Sequence, residues 1–338
     1  MEFTFDEDQT LFAETVRDIL VNECPPAAVR DAWANATGAV PGLWETLAST
    51  GVIGMTAPEA DAGLGMSELD LVMIMEELGR AACPEPVLEH TAVAIPLLVD
   101  AGSEPQRDEW LAPSALGGRR LTVSLGSRYV LAAADASAIV LPDGDSLHLV
   151  ARADVELEAH LSVDETRRLY SVRWTPTPAT LLTDDPLVVA KARDRDSVAA
   201  AAQCVGIAQR LLDFTVEYVQ ERHQFGKPVG VNQAIKHHLA DVGKAIEFAR
   251  PMVYRAAWAL STSSPFWYGR DTGLKSYRSI VYECLPRTGP PPSFNTRAEH
   301  QRFIDVQVKT NSIEDATRIW WHIRPHPTYP TLEFRVRD

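Results

Sequence analysis

Two long runs with helical spacing, joined by one short turn, constrain this chain more than any other feature. From Asp184 to Glu221 the residues Val188, Val198, Ala201, Val205, Leu211, Leu212, Phe214 and Tyr218 supply the stripe that a helix buries, and a second helical run extends from Val231 to Leu260. Between them lies Arg222-His-Gln-Phe-Gly-Lys-Pro, whose Gly-Lys-Pro ends the first helix and lets the second return antiparallel. Such a pair buries only the faces it shares, so it needs a third and fourth helix. The turn also carries chemistry. An Arg fork matches phosphate oxygens two at a time, and Gly226 permits close approach of backbone to a ligand.

Upstream, acidic Asp6-Glu-Asp precedes Leu11, Phe12, Thr15, Val16 and Ile19, which predicts a packing helix over Phe5 to Leu20. Pro41 to Thr50 reads as a short helix closed by Gly51. Gly63 and Gly65 form a loop, Ser67 caps, and Leu69 to Leu78 form an apolar helix. That Gly-x-Gly is a poor nucleotide signal, because no strand precedes it and the third glycine is missing. From Leu121 the pattern changes to short β-prone runs, Leu121 to Leu125, Ala138 to Leu141, Ser146 to Val150 and Leu169 to Trp174, separated by turns such as Pro142-Asp-Gly-Asp145.

Arg222-His-Gln-Phe-Gly-Lys-Pro with Gln233-Ala and His238-Leu-Ala-Asp241 resembles the R-x-Q-F-G-K-P, Q-A and H-x-L-A-D run of acyl-CoA dehydrogenases, and Pro58-Glu…Gly63-Leu-Gly65…Glu76-Glu-Leu-Gly-Arg80 is similar to a second family segment, about 160 residues earlier and in the expected order. The resemblance implies an α+β fold with an N-terminal helical domain (1–115), a small middle β domain (116–183) and an incomplete C-terminal helical bundle (184–262). It implies FAD as cofactor, contacted by Arg222, Phe225, Gly226 and Gln233, and an acyl-CoA thioester as substrate. The family's hydroxyl-bearing flavin loop is replaced by Ser124-Leu-Gly-Ser-Arg-Tyr129, where Ser124 is the candidate hydroxyl donor. The catalytic glutamate of most family members lies on a late helix, and none of Glu283, Glu299 or Glu314 sits in a matching motif. A minority branch places the base 26 residues before the turn arginine, which here is Asp196; the alternative reading is that Asp194 and Asp196 favour the helix N-terminus.

The tail follows another pattern. Ser264-Pro-Phe-Trp-Tyr-Gly-Arg-Asp271, Arg287-Thr-Gly-Pro-Pro-Pro292 and Trp320-Trp-His-Ile-Arg-Pro…Thr331-Leu-Glu-Phe-Arg335 resemble carboxylate-amine ligases related to glutamate–cysteine ligase. By that likeness 263–338 is an unrelated α/β fragment, in which Glu333 is a ligand for ATP-bound magnesium and Arg335 contacts the transferred phosphoryl group. One carboxylate does not hold a magnesium–nucleotide by itself. His322 and His326 are four apart, but Pro325 and Pro327 forbid the helix that would align them on a metal.

Charge changes at the same place as ancestry. Ser261 to Asp338 holds 11 Lys+Arg against 8 Asp+Glu, a balance of +3, which leaves 21 against 38, or −17, for the first 260 residues. The net −14 argues against a nucleic-acid partner. No apolar run approaches the roughly 20 residues that span a bilayer, and the start lacks a signal-peptide pattern, so a cytoplasmic location is expected. Cys24, Cys83, Cys204 and Cys284 form no C-x-x-C pair and are expected to be free buried thiols. Three functions stay open: an acyl-CoA dehydrogenase in a homo- or hetero-oligomer with another such subunit, a non-catalytic subunit of a dehydrogenase complex, and a ligase using ATP and Mg.

Overall fold

Asp6 starts the first helix. Its carboxylate accepts the Gln9 backbone N–H at 2.8 Å while the Gln9 side chain accepts the Asp6 N–H at 3.0 Å, a reciprocal cap that opens α1 (Glu7–Glu23). The computed structural model describes residues 5–262 and, beyond them, 266–267, 270–271, 288–289, 296–309, 320–321, 323–325 and 332–334. α1 buries Ala13, Val16 and Leu20, whereas Leu11 of the expected stripe is 62% exposed. After α2 (Pro26–Ala32) and α3 (Leu43–Ser49), a second capping box, between Ser67 and Asp70, opens α4 (Glu68–Arg80). Arg17 clamps α1 to α4 through Glu77 at 2.6 Å. A π-helical stretch, Leu88–Ala94, runs into α5 (Ile95–Ala101), and α6 (Glu104–Ala115) completes the helical portion.

Two small sheets follow. β1 (Leu121–Val123), β3 (Ala138–Asp143), β4 (Ser146–Ala151) and β7 (Leu181–Thr183) form one in the order β1-β3-β4-β7, with β1 parallel to β3 (Leu121 opposite Ala138) and the other pairs antiparallel. The antiparallel second sheet is β2 (Val130–Leu131), β6 (Leu169–Arg173) and β5 (Glu156–His160) in the order β2-β6-β5. Alternation along β3 joins the layers. Ala138 and Val140 belong to the core shared with the helices, while Ile139 and Leu141 belong to a second core with Val130 and Val155, against which Tyr170 and Val172 of the other sheet pack.

α7 (Pro186–Glu221) returns to the helical layer and crosses α4 at close range. A Cβ on Gly206 would lie 1.9 Å from the Glu76 carbonyl oxygen, and one on Gly79 would lie 2.1 Å from that of Gln203, so the two backbones touch where only glycine fits. Buried Arg195 fixes the N-terminal half of α7, pairing with Glu68 at 2.7 Å and Asp100 at 2.6 Å. α8 (Gln233–Thr262) is held to α4 by Arg250 on Glu76 at 2.9 Å and by the Tyr254 hydroxyl on the same carboxylate at 2.6 Å.

One expectation fails in an informative way. Leu211, Phe214 and Tyr218, read as part of the buried stripe of α7, are 61%, 58% and 50% exposed. The cause is length: at about 1.5 Å per residue α7 runs about 54 Å against about 20 Å for α4, so its C-terminal half outruns its cover. Among the described residues no helix is long and apolar enough to cross a membrane.

The chain divides into two compact units, Met1–Ser261 and Thr262–Asp338. In the second, short strands pair locally: β10 (Phe266–Trp267) with β11 (Arg270–Asp271), β12 (Thr288–Gly289) with β13 (Trp320–Trp321), and β14 (Ile323–Pro325) with β15 (Leu332–Phe334), besides the helix α9 (Arg297–Lys309).

Candidate functional site

The turn between α7 and α8 is a tight β-hairpin. Arg222 ends α7 with its N–H on the Tyr218 carbonyl at 2.8 Å, and its own carbonyl accepts the Val229 N–H at 2.7 Å, closing the loop. β8 (His223–Gln224) pairs with β9 (Lys227–Pro228), which leaves a two-residue turn at Phe225 and Gly226. Both have positive φ, 51° and 78°, the requirement of a type I′ hairpin. Glycine meets that requirement freely; phenylalanine does so at a cost of about 1–2 kcal/mol. The Phe225 ring is 100% exposed, so no burial within the chain offsets the strain. Nothing lies within 4 Å of a Cβ placed on Gly226, so its conformation, and not a close approach within this chain, calls for glycine.

Arg222 is exposed and makes no side-chain hydrogen bond or ion pair among the described residues. Gln233 begins α8, where its amide donates to His237 Nε2 at 2.9 Å, which fixes the acceptor tautomer at that nitrogen. The turn therefore presents an unpaired guanidinium, a naked aromatic ring and a helix N-terminus to solvent, a set suited to an anionic ligand or a partner surface.

Asp196 lies elsewhere, half-buried on the first half of α7. Burial holds its carboxyl above the usual range, and it has no hydrogen bond or ion pair among the described residues. Sequence reasoning missed its neighbour. Glu89, on the π-helical stretch, is also pushed up by burial and further by the Asp196 charge, while Arg167 pulls it back. The signal was available in the polar Glu89-His90-Thr91 set inside an otherwise apolar run. Carboxyls kept from water with raised affinity for a proton have the character of general bases.

Ser124 is buried and extends β1, its N–H donating to the Val140 carbonyl at 2.9 Å. Its hydroxyl donates to the Ser127 carbonyl at 2.8 Å, so that hydrogen closes the Leu125–Arg128 loop on itself. In the second unit Glu333 sits on β15 opposite Arg324 of β14, and Arg335 lies outside the described residues. Among the described residues no cluster of three or more His, Cys, Asp or Glu has the arrangement of a metal site.

With this geometry in place, comparison with known proteins defines the class. Residues 6–118 match the acyl-CoA dehydrogenase N-terminal domain and 188–275 the acyl-CoA dehydrogenase C-terminal domain. The acyl-CoA dehydrogenase IpdE2 of Mycolicibacterium smegmatis is 33% identical over 259 residues, which cover 76% of this chain and 79% of that protein. The chain belongs to the acyl-CoA dehydrogenase family. Residues 241–338 match glutamate–cysteine ligase family 2, and 80 residues are 60% identical to a putative glutamate–cysteine ligase 2 of Roseiflexus castenholzii. They amount to 24% of this chain, which spans only about a fifth (21%) of that relative's length.

Solved structures agree on the fold. A steroid acyl-CoA dehydrogenase variant, Tcur3481-Tcur3483, aligns with a TM-score of 0.69 at 27% identity over 75% of this chain and 78% of that one. The ChsE4-ChsE5 complex of Mycobacterium tuberculosis aligns at 0.71 over 77% and 79%; at 24% identity it speaks for the fold alone.

Proposed function

We propose that this chain is a flavin-binding subunit of an acyl-CoA dehydrogenase assembly, acting on an acyl-CoA thioester beside a second dehydrogenase-type subunit. The observation that carries this reading is the Phe225–Gly226 turn: a solvent-facing ring held in a strained backbone next to an unpaired Arg222 is costly in the isolated chain and is accounted for by a ligand or partner. Arg222 and the N-terminus of α8 at Gln233 suit the diphosphate of FAD. Fit at the other end is poorer, since Ser124 spends its hydroxyl hydrogen inside its own loop. Bound flavin would accept the hydride that leaves the β carbon.

In this reading Asp196 takes the proton α to the thioester carbonyl, with burial raising its affinity for that proton. Ile207, Leu211, Phe214 and Tyr218, at successive spacings of four, three and four along α7, and Phe248 and Met252 on α8 are exposed apolar residues that a partner subunit would cover. The steroid acyl-CoA dehydrogenase Tcur3481-Tcur3483, named for two chains, supports such an assembly. The ligase-like segment adds a strand bearing Glu333, and we attach no ATP or magnesium chemistry to it.

The test is to produce the chain alone and together with a full-length acyl-CoA dehydrogenase from the same genome, then record mass and flavin absorbance. A flavin-bearing complex containing both chains, with flavin content at least about tenfold lower for Arg222→Ala, is expected from loss of one charge-assisted phosphate contact. No flavin band in either preparation after adding FAD defeats the reading.

A further inference from the structure

A buried cation stands next to Asp196 in sequence, and its hydrogen bonds go elsewhere. Arg195, 7% exposed, donates through Nε to Glu68 at 2.7 Å and through Nη1 to Asp100 at 2.6 Å. Glu68 is the first residue of α4 and Asp100 lies in the last turn of α5, so two helices hold one guanidinium. Lys191, about one turn earlier on α7, shares Asp100 at 3.2 Å. The Ser261 hydroxyl, near the end of α8, accepts the Leu69 N–H at 3.0 Å and lies 3.3 Å from Glu68. Segments of α4, α5, α7 and α8 therefore converge on one ion network.

The charges in this network balance. An anion near a helix C-terminus is disfavoured by the helix dipole, so Asp100 depends on its two cations. Burial works against a charge on Glu68, yet Arg195 and Lys191 hold its carboxyl below the usual range, which keeps it an acceptor. Two positive groups thus meet two negative ones. Asp196 follows Arg195 at about 100° around the helix. A guanidinium left free beside it would favour the carboxylate; with that cation already engaged, burial holds the Asp196 carboxyl above the usual range. From the π-helical stretch packed on α7, Glu89 is raised by burial and further by the Asp196 charge, with Arg167 opposing.

We propose that Arg195 is the positioning residue for Asp196: bonded to Glu68 and Asp100, it fixes the turn of α7 that carries both residues and keeps its own charge away from the Asp196 carboxyl. The inference rests on the proposed role of Asp196 as the base. Apolar contacts such as those of Val189, Ala192 and Ala199 have no direction, so they let a helix turn or slide slightly. A planar fork bonded to carboxylates on two other helices fixes both the rotation of α7 and its height. That precision matters at a proton-abstracting carboxylate, where a misplacement of about 1 Å costs about 100-fold in rate.

Two readouts test it. In the full chain alone, the titration of Asp196 is followed by NMR as the carboxyl carbon signal missing from Asp196→Asn. Lys191→Gln leaves the network one charge negative and is expected to move the midpoint up, whereas Asp100→Asn leaves it one charge positive and is expected to move it down. Simple loosening of the helices would admit water and move both down. In the flavin-loaded assembly, Arg195→Gln is expected to lower kcat about 100-fold with KM within about twofold, and Arg195→Lys to recover part of the loss. Exposed Arg193→Gln is expected to match the wild type. Midpoints that stay in place or move together, or an unchanged kcat in Arg195→Gln, overturn the proposal while leaving Asp196 as the base. Full turnover in Asp196→Asn defeats that reading of Asp196, and this proposal with it. If Arg195→Gln does not fold, the opposed shifts of Lys191→Gln and Asp100→Asn decide.

Discussion

Replacing Phe225 with asparagine separates a strained functional turn from an ordinary one. An L-residue in the left-handed region costs about 1–2 kcal/mol, and asparagine tolerates that region better than any bulky side chain. Because the ring is 100% exposed, Phe225→Asn removes no packing within the chain. It also creates Asn-Gly, the favoured pair for a type I′ hairpin. The isolated chain is therefore expected to gain about 0.5–1 kcal/mol, or roughly 1–4 °C in Tm. The same change deletes the ring a partner or ligand would bury, worth about 1.5–3 kcal/mol, so affinity for FAD or the partner subunit is expected to fall roughly 10- to 150-fold. Denaturant melts of the chain alone and titrations with FAD and with the partner read the two effects independently. If stability drops, the ring packs inside the chain and the account of strain is mistaken. If stability rises while affinity is untouched, the strain has no bearing on binding.

Two further substitutions probe the scaffold around the site. His90, fully buried, accepts the Leu121 N–H at Nδ1 (2.9 Å) and so donates through Nε2 to the Ser114 carbonyl at 3.1 Å; burial holds it neutral with a pKa of about 4. The unfolded chain takes up that proton below about pH 6.5, so this contribution is present above 6.5 and is lost as pH falls toward 4, about 3 kcal/mol in all. Glu85, raised to about 7 by burial, moves stability the opposite way over part of the range, so the reading is the difference between wild type and His90→Gln: the loss on acidification is expected to be smaller in the variant, and parallel urea-stability curves between pH 7 and 4 contradict it. Gly206→Ala drives a methyl into the Glu76 carbonyl and toward the Arg80 N–H, both backbone, so α4 and α7 must part; a loss of about 3 kcal/mol in urea unfolding is expected, and a loss under 1 kcal/mol would mean the crossing is looser than described.

What could be read ahead of the coordinates follows a physical division. Helices with punctuated ends were legible: Asp6, Ser67 and the Gly-Lys-Pro turn mark α1, α4 and the α7–α8 junction because caps and breakers act within a few residues. The β runs at Leu121, Ala138, Ser146 and Leu169 stood out by composition. β2 is two residues long and β5 reads Glu-Leu-Glu-Ala-His, so neither carries enough apolar alternation to be seen, and the π-helical Leu88–Ala94 hides in an apolar run with no clear period. The site divides in the same way. Arg222, Phe225 and Gly226 lie on one short turn with Gln233 soon after it in sequence, whereas the electrostatic influence of Asp196 on Glu89 arises from packing of distant segments, which no local pattern encodes. The stripe on α7 shows the limit most directly. Val189, Ala202 and Val205 are buried inside the chain while Leu211, Phe214 and Tyr218 are not, although all are apolar. Helical spacing says which residues would gain from cover, and the geometry of the neighbours decides which receive it. An apolar stripe continuing past the last helix that can cover it therefore points to cover from another surface, and here the stripe ends beside the turn that holds Phe225 in solvent.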